Sequence, residues 1–149
     1  YKGTTPDGKN GKTYATKYGF VGLDMVEKYY ISDGMNEKGL AVGMFYHPGF
    51  ASYPTYNAAT ANNTISSQEL ANYILSQFAT IEAVKQGMRN INVVGVIEPA
   101  IGIIVQGHWI VTDTSGRSIV IEYIDSELKI LKSVFVDLFA SFVVFLEFG

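Results

Sequence analysis

Tyr46, His47 and Pro48 stand together at the end of the run "GLAVGMFYHP", and they are the residues here whose types and position could do chemistry. A tyrosine hydroxyl both donates and accepts, and a histidine offers two ring nitrogens. Proline cannot donate to a β-ladder, so both side chains fall at a strand end, a place from which a rigid sheet presents groups to a cleft. Period-two alternation puts Leu40, Val42, Met44 and Tyr46 on one face of that strand and Ala41, Gly43, Phe45 and His47 on the other.

Other candidates are weaker. His47 and His108 are the only histidines, and neither has an acidic or second histidine neighbour at ligand spacing, so we expect no metal site. The chain has no cysteine, which removes disulfides, thiolate metal ligands and a cysteine nucleophile from these residues. Asp33, Glu37 and Glu122 could serve acid–base chemistry, but the first two flank a hairpin turn and read as solvated charges. "PDGKNGKT" falls short of a phosphate-binding loop because Pro6 replaces its first glycine and neither an apolar strand before it nor a helix after it is evident. No G-x-S-x-G elbow is present, and no cofactor is called for. Most of the 10 tyrosines are explained as strand residues with a polar tip, so residue chemistry leaves Tyr46 a candidate and no more.

The elements that must position Tyr46 follow from local signals. With 149 residues, 48% of them hydrophobic, the chain can bury a core as one domain or a large piece of one. A formal charge of −3 supplies no basic field for nucleic acid or an anionic membrane. The longest apolar run, Val134 to Leu146, is interrupted by Asp137 and is shorter than the roughly 20 residues of a membrane span. The opening residues, Tyr1 to Thr13, are polar and glycine-rich without a leader pattern, so the chain reads as soluble.

That opening segment reads as turn chemistry rather than a packed element. "TYATKYGFVGLDM" and "EKYYIS" are rich in strand-forming residues, and "NEKG" closes a hairpin in which Gly39 takes a positive backbone angle. A long connection from Pro48 to Thr64 has the size of a lid or substrate wall. Ser66 to Glu69 reads as a capping box, followed by Leu70, Ala71, Ile74, Leu75 and Phe78 at helical spacing. A second short helix is predicted from Ile81 to Met88 with Thr80 as its cap. "GHWIVTDTSGRSIVIEYIDSELKIL" then reads as a three-stranded meander, giving an α+β class with antiparallel sheet and helices on one face.

Three stretches, "SDGMNEKGLAVGMFYHPGFASYP", "ELANYILSQFATIEAVKQGMRNINVV" and "HWIVTDTSGRSIVIEYIDSELKIL", resemble the choloylglycine hydrolase family, which includes bile salt hydrolases and penicillin V acylases. The likeness runs from about Tyr14 to Leu131 within a single partial domain, with 132–149 as an atypical apolar tail. It implies part of a four-layer αββα N-terminal nucleophile hydrolase sandwich. It also implies hydrolysis of a small non-peptide amide by an N-terminal cysteine, which splits the reaction into attack and acyl-enzyme breakdown. Donors aimed at the developing oxyanion typically contribute about 3 kcal/mol each. Tyr46 matches a family position that is tyrosine in acylase-like members and asparagine in many bile salt hydrolases, where the residue lines the site and serves the oxyanion. The family occupies both cytoplasm and periplasm.

The departures define the expectation. The nucleophilic cysteine and its nearby arginine and aspartate would lie ahead of Tyr1, and the tail "KSVFVDLFASFVVFLEFG" has no asparagine to match the family's second oxyanion residue. Either a fragment with an unrelated or frame-shifted ending or a divergent relative fits, and under both no amide hydrolysis is expected of these residues alone. The alternative is a non-catalytic module binding a small molecule or a protein in the remnant cleft, walled by Tyr46, His47, Phe50, Tyr53 and Tyr56. Sheet edges and faces lacking their natural cover would favour self-association, with the tail around Phe135 to Phe148 as a partial cover.

Overall fold

The computed structural model describes residues 1–132. The apolar tail, and with it the expectation that it covers a sheet face, lies outside the described residues.

The chain opens with an antiparallel hairpin of β1 (Lys2–Thr4) and β2 (Asn10–Thr13), a packed element where turn chemistry alone is predicted. The glycines explain the difference, because they serve close packing as well as turning. A Cβ on Gly11 would lie 2.2 Å from the Thr64 carbonyl oxygen, and one on Gly3 would lie 2.7 Å from the same atom. Tyr14 and Tyr18 sit in the connection that follows rather than in a strand, and Tyr14 stacks on Tyr1 while meeting Tyr73 edge-on.

β3 (Phe20–Met25), β4 (Tyr30–Asn36) and β5 (Ala41–Tyr46) form the first meander. Gly39 closes the β4–β5 loop at φ 76°, the left-handed conformation that costs glycine little. The connection after Pro48 contains a 3-10 segment, Ala58–Asn63, before β6 (Thr64–Ser66). Glu69 accepts the Ser66 N–H at 2.8 Å, the returning half of the predicted capping box, and also holds the Thr4 N–H at 3.0 Å. α1 (Leu70–Gln77) and α2 (Ile81–Met88) follow as the apolar spacing predicts, and Thr80 Oγ1 caps α2 by accepting the Ala83 N–H at 3.2 Å.

β7 (Asn92–Val94) returns to pair in parallel with β6, and β8 (Ile97–Glu98) pairs with β9 (Ile103–Ile104) in a two-residue ladder. β10 (Gly107–Thr112), β11 (Ser118–Ile124) and β12 (Glu127–Lys132) are the predicted second meander. Asp125 and Ser126 turn its last corner with φ of 53° and 61°, the mirror-image turn that matches strand twist. The two meanders join through β5 and β10 into one antiparallel six-stranded sheet, ordered β12-β11-β10-β5-β4-β3.

Both helices contribute to one core against a single face of this sheet. Val42, Trp109, Val111, Ile119 and Ile121 meet Leu70, Ile74, Leu75, Ile81, Val84 and Met88, and all of them are buried. Burying side chains of this size contributes roughly 1.5–3 kcal/mol each. The opposite face carries Val21, Leu23, Met35 and Phe45, all exposed, an apolar surface that the described residues leave uncovered. No helix among the described residues is long and apolar enough to cross a membrane.

Candidate functional site

Tyr46 is the last residue of β5, and Gly107 of β10 lies opposite it in the ladder. Its side chain leaves the strand on the same side as Met44 and is 60% exposed, a ring held at the mouth of a cleft rather than in the core. The cleft has a volume of about 220 Å³. The end of β3 and its turn supply Met25 and Val26, the turn between β8 and β9 supplies Ile101, and β9 supplies Ile103. Apolar side chains thus make up most of the wall, with the phenol at its edge.

Two polar groups reach the same cleft. Glu98 is 1% exposed and forms a short ion pair with Lys28, and the Ala100 N–H donates to the same carboxylate at 2.9 Å. The Lys28 hydrogen bond, assisted by Ala100, holds the Glu98 carboxyl below its usual range against the opposing effect of burial. Gln68 fixes its amide by donating to the Val96 carbonyl at 3.1 Å. The sequence analysis does not single out Lys28, Gln68 or Glu98. The signal for Glu98 is the lone charge inside the long apolar stretch "VVGVIEPAIGIIV".

The five predicted wall residues divide among three places. Tyr46 lines the cleft just described. Tyr53 and Tyr56 line a second, polar-edged hollow of about 470 Å³ between the loop after Pro48 and Ile104. Tyr53 is a clamp there, for its hydroxyl donates to the Val105 carbonyl at 2.8 Å and accepts the Gly107 N–H at 3.1 Å. Burial pushes that phenol above its ordinary pKa, keeping the proton it donates. Tyr56 reaches Asp7 Oδ2 at 3.3 Å.

His47 and Phe50 stack together elsewhere, with ring centroids 4.9 Å apart, at the other side of the strand end. His47 also meets His108 edge-on at 4.7 Å, and Glu122 stands close by. The lack of ligand-spaced neighbours in sequence predicts no metal site at these histidines, yet the pairing of β5, β10 and β11 brings them together with Glu122. Burial, and the neighbouring His47 after it, hold the His108 imidazole below its ordinary pKa, opposed by Glu122.

Residues 2–138 match the family model described as linear amide C–N hydrolases, choloylglycine hydrolase family. A bile salt hydrolase/transferase of Clostridium perfringens is 30% identical over 123 residues, covering 81% of this chain and 37% of its own length. Among solved structures, a variant of the conjugated bile acid hydrolase from Clostridium perfringens superposes with a TM-score of 0.71 at 26% identity, over 90% of this chain and 40% of that one. The penicillin V acylase from Agrobacterium tumefaciens superposes with a TM-score of 0.68 at 25% identity, over 98% of this chain and 45% of that one. The chain therefore spans under half the length of these relatives while sharing their mixed α+β architecture with antiparallel sheet. By family match, sequence identity and shared architecture, this chain belongs to the linear amide C–N hydrolases of the choloylglycine hydrolase family.

Proposed function

We propose that these residues form the substrate-wall portion of a linear-amide hydrolase of the penicillin V acylase or conjugated bile salt hydrolase type. The observation that carries this reading is Tyr46, set by the rigid end of β5 at the mouth of an apolar cleft. In such an enzyme the cleft would take the apolar acyl part of the substrate, and the phenol would donate to the carbonyl oxygen as negative charge develops on it. Attack on that carbonyl needs a nucleophile. The 149 residues contain no cysteine, so the thiol that the family resemblance implies would come from another segment.

The chain alone is accordingly inert as a hydrolase. Incubation of the purified chain with penicillin V, glycocholate or taurocholate is expected to release no phenoxyacetate, glycine or taurine. Sustained release by tag-free protein would overturn this reading.

A second reading, a binding module without catalysis, draws support from the same cleft being formed by described residues in a chain without cysteine. Calorimetric titration separates the two. Saturable binding of penicillin V or a bile salt that Tyr46→Ala abolishes, with no turnover, favours the module. The uncovered sheet face is the surface on which the remainder of an enzyme, or a second copy, would pack.

A further inference from the structure

We propose that His47, His108 and Glu122 form a binding site for a divalent transition-metal ion of the zinc type, on the side of the sheet away from the Tyr46 cleft. Strand pairing builds the site. His108 of β10 lies opposite Phe45 of β5, and the Trp109–Ile121 register sets Glu122 of β11 opposite His108, so both side chains leave the same face. His47 follows two residues after Phe45, and its N–H donates to the Gln106 carbonyl at 2.7 Å, which fixes the backbone from which the ring projects.

One donor atom from each of the three side chains lies within 4.8 Å of the others. Two imidazoles and a carboxylate are the donor set that borderline metals such as zinc take when a fourth position stays open for water or another ligand. Tetrahedral bonds of zinc to nitrogen would draw the donors to about 3.3 Å from one another. Closing to that distance would take rotation of the Glu122 carboxylate and a swing of the rings when the ion binds.

Three observations separate this trio from histidines that merely pack. Both rings are already oriented by aromatic neighbours, His47 against Phe50 at 4.9 Å and 22°, and His108 against Phe45 at 5.7 Å and 28°. The His108 Nδ1 is buried with no hydrogen-bond partner among the described residues, a state that typically costs about 1–3 kcal/mol and that a ligand bond would relieve. Lys129, which faces Glu122 across the β11–β12 ladder, is engaged with Glu127 at 2.5 Å. Among the described residues Glu122 has no salt-bridge partner, and its carboxylate stands beside the two imidazoles.

The test uses tag-free chain, since a histidine tag would bind the same ions. Zinc is titrated by calorimetry, and cobalt by its visible absorption, with His47→Phe, His108→Gln and Glu122→Gln compared with the exposed-site control Glu82→Gln. Trp109, the only tryptophan, reports by its emission whether each variant keeps its core. The expected result is one ion per chain and loss of affinity by about tenfold or more in each of the three variants, as even loss of a ligand's outer partner produces in metal sites. The imidazole resonances of the only two histidines should also shift or broaden together with cobalt. Absence of saturable binding, or binding that folded His108→Gln and Glu122→Gln retain in full, would overturn the site.

Discussion

Asn36 ties the β4–β5 hairpin to the C-terminus of α1 through Leu75. Its Nδ2 donates to the Leu75 carbonyl at 2.8 Å and to the Phe78 carbonyl at 2.7 Å, while its Oδ1 accepts the N–H groups of Lys38 at 3.0 Å and Leu40 at 3.1 Å. One buried amide thus satisfies two orphan carbonyls of a helix end and two N–H groups of a turn. Truncation strands all four, so Asn36→Ala should destabilise the fold by about 2–4 kcal/mol. Asn36→Asp should do no better, because a carboxylate there faces carbonyl oxygens at the negative end of the helix dipole. Urea unfolding followed by Trp109 emission measures both. Midpoints equal to wild type would show that the turn and the helix end find other partners.

The ion pair at the base of the cleft predicts a pH signature. Glu98 titrates below the ordinary carboxylate range chiefly through its hydrogen bond from Lys28. Its folded pKa is depressed, so its contribution to stability is complete above the unfolded value and disappears as pH falls through the folded one. Lys28→Met leaves a nearly inaccessible carboxylate with the Ala100 N–H alone. We expect a loss of about 1–3 kcal/mol at neutral pH, discounted because Lys28 itself is partly solvated, and a smaller difference from wild type in acid, where Glu98 is protonated in both. Urea midpoints across the acid range test it, and a difference independent of pH would refute the assignment.

Asp113 makes the same argument for the junction of sheet and second helix. Its Oδ2 accepts the Ile81 N–H at 3.0 Å at the start of α2, and its Oδ1 accepts the Ser115 N–H at 3.0 Å. The Ile81 bond, with Ser115 next, holds its carboxyl below the usual range, so the stabilisation is present above that range and is lost on acidification through the folded pKa. Asp113→Asn should cost about 1–2 kcal/mol at neutral pH and remove part of the acid dependence of the melting temperature. An unchanged acid limb in the folded variant would assign that dependence to other carboxylates.

The parts of the fold legible in the sequence are those specified locally. Gly39 in "NEKG", Thr80 before "IEAV" and the turn pairs of the last meander each act within a few residues, and each element stands where its signal lies. The β1–β2 hairpin was hidden because its glycines look like turn residues, although Gly3 and Gly11 are small to let Thr64 approach. The two-residue strands β8 and β9 are too short to carry a period.

Residue alternation along β5 settled the face of Tyr46, the part of the candidate site that a strand determines by itself. The path of the loop after Pro48 then sends Tyr53 and Tyr56 to a separate hollow and Phe50 onto the His47 ring, an outcome of tertiary contacts that no local spacing encodes. His47, His108 and Glu122 meet for a similar reason. Their proximity is a property of the β5–β10–β11 ladder, in which neighbours in space are far apart in the chain.

A single peptide link separates the phenol at the cleft from the imidazole on the reverse of the sheet. Lengthening β5 by one residue ahead of that link would reverse the side each takes, turning the phenol toward the histidine–glutamate side and the imidazole toward the cleft side, beyond the present end of the strand. One codon's insertion would therefore redistribute the rings of this strand end between its two surfaces, without inventing a new side chain at either.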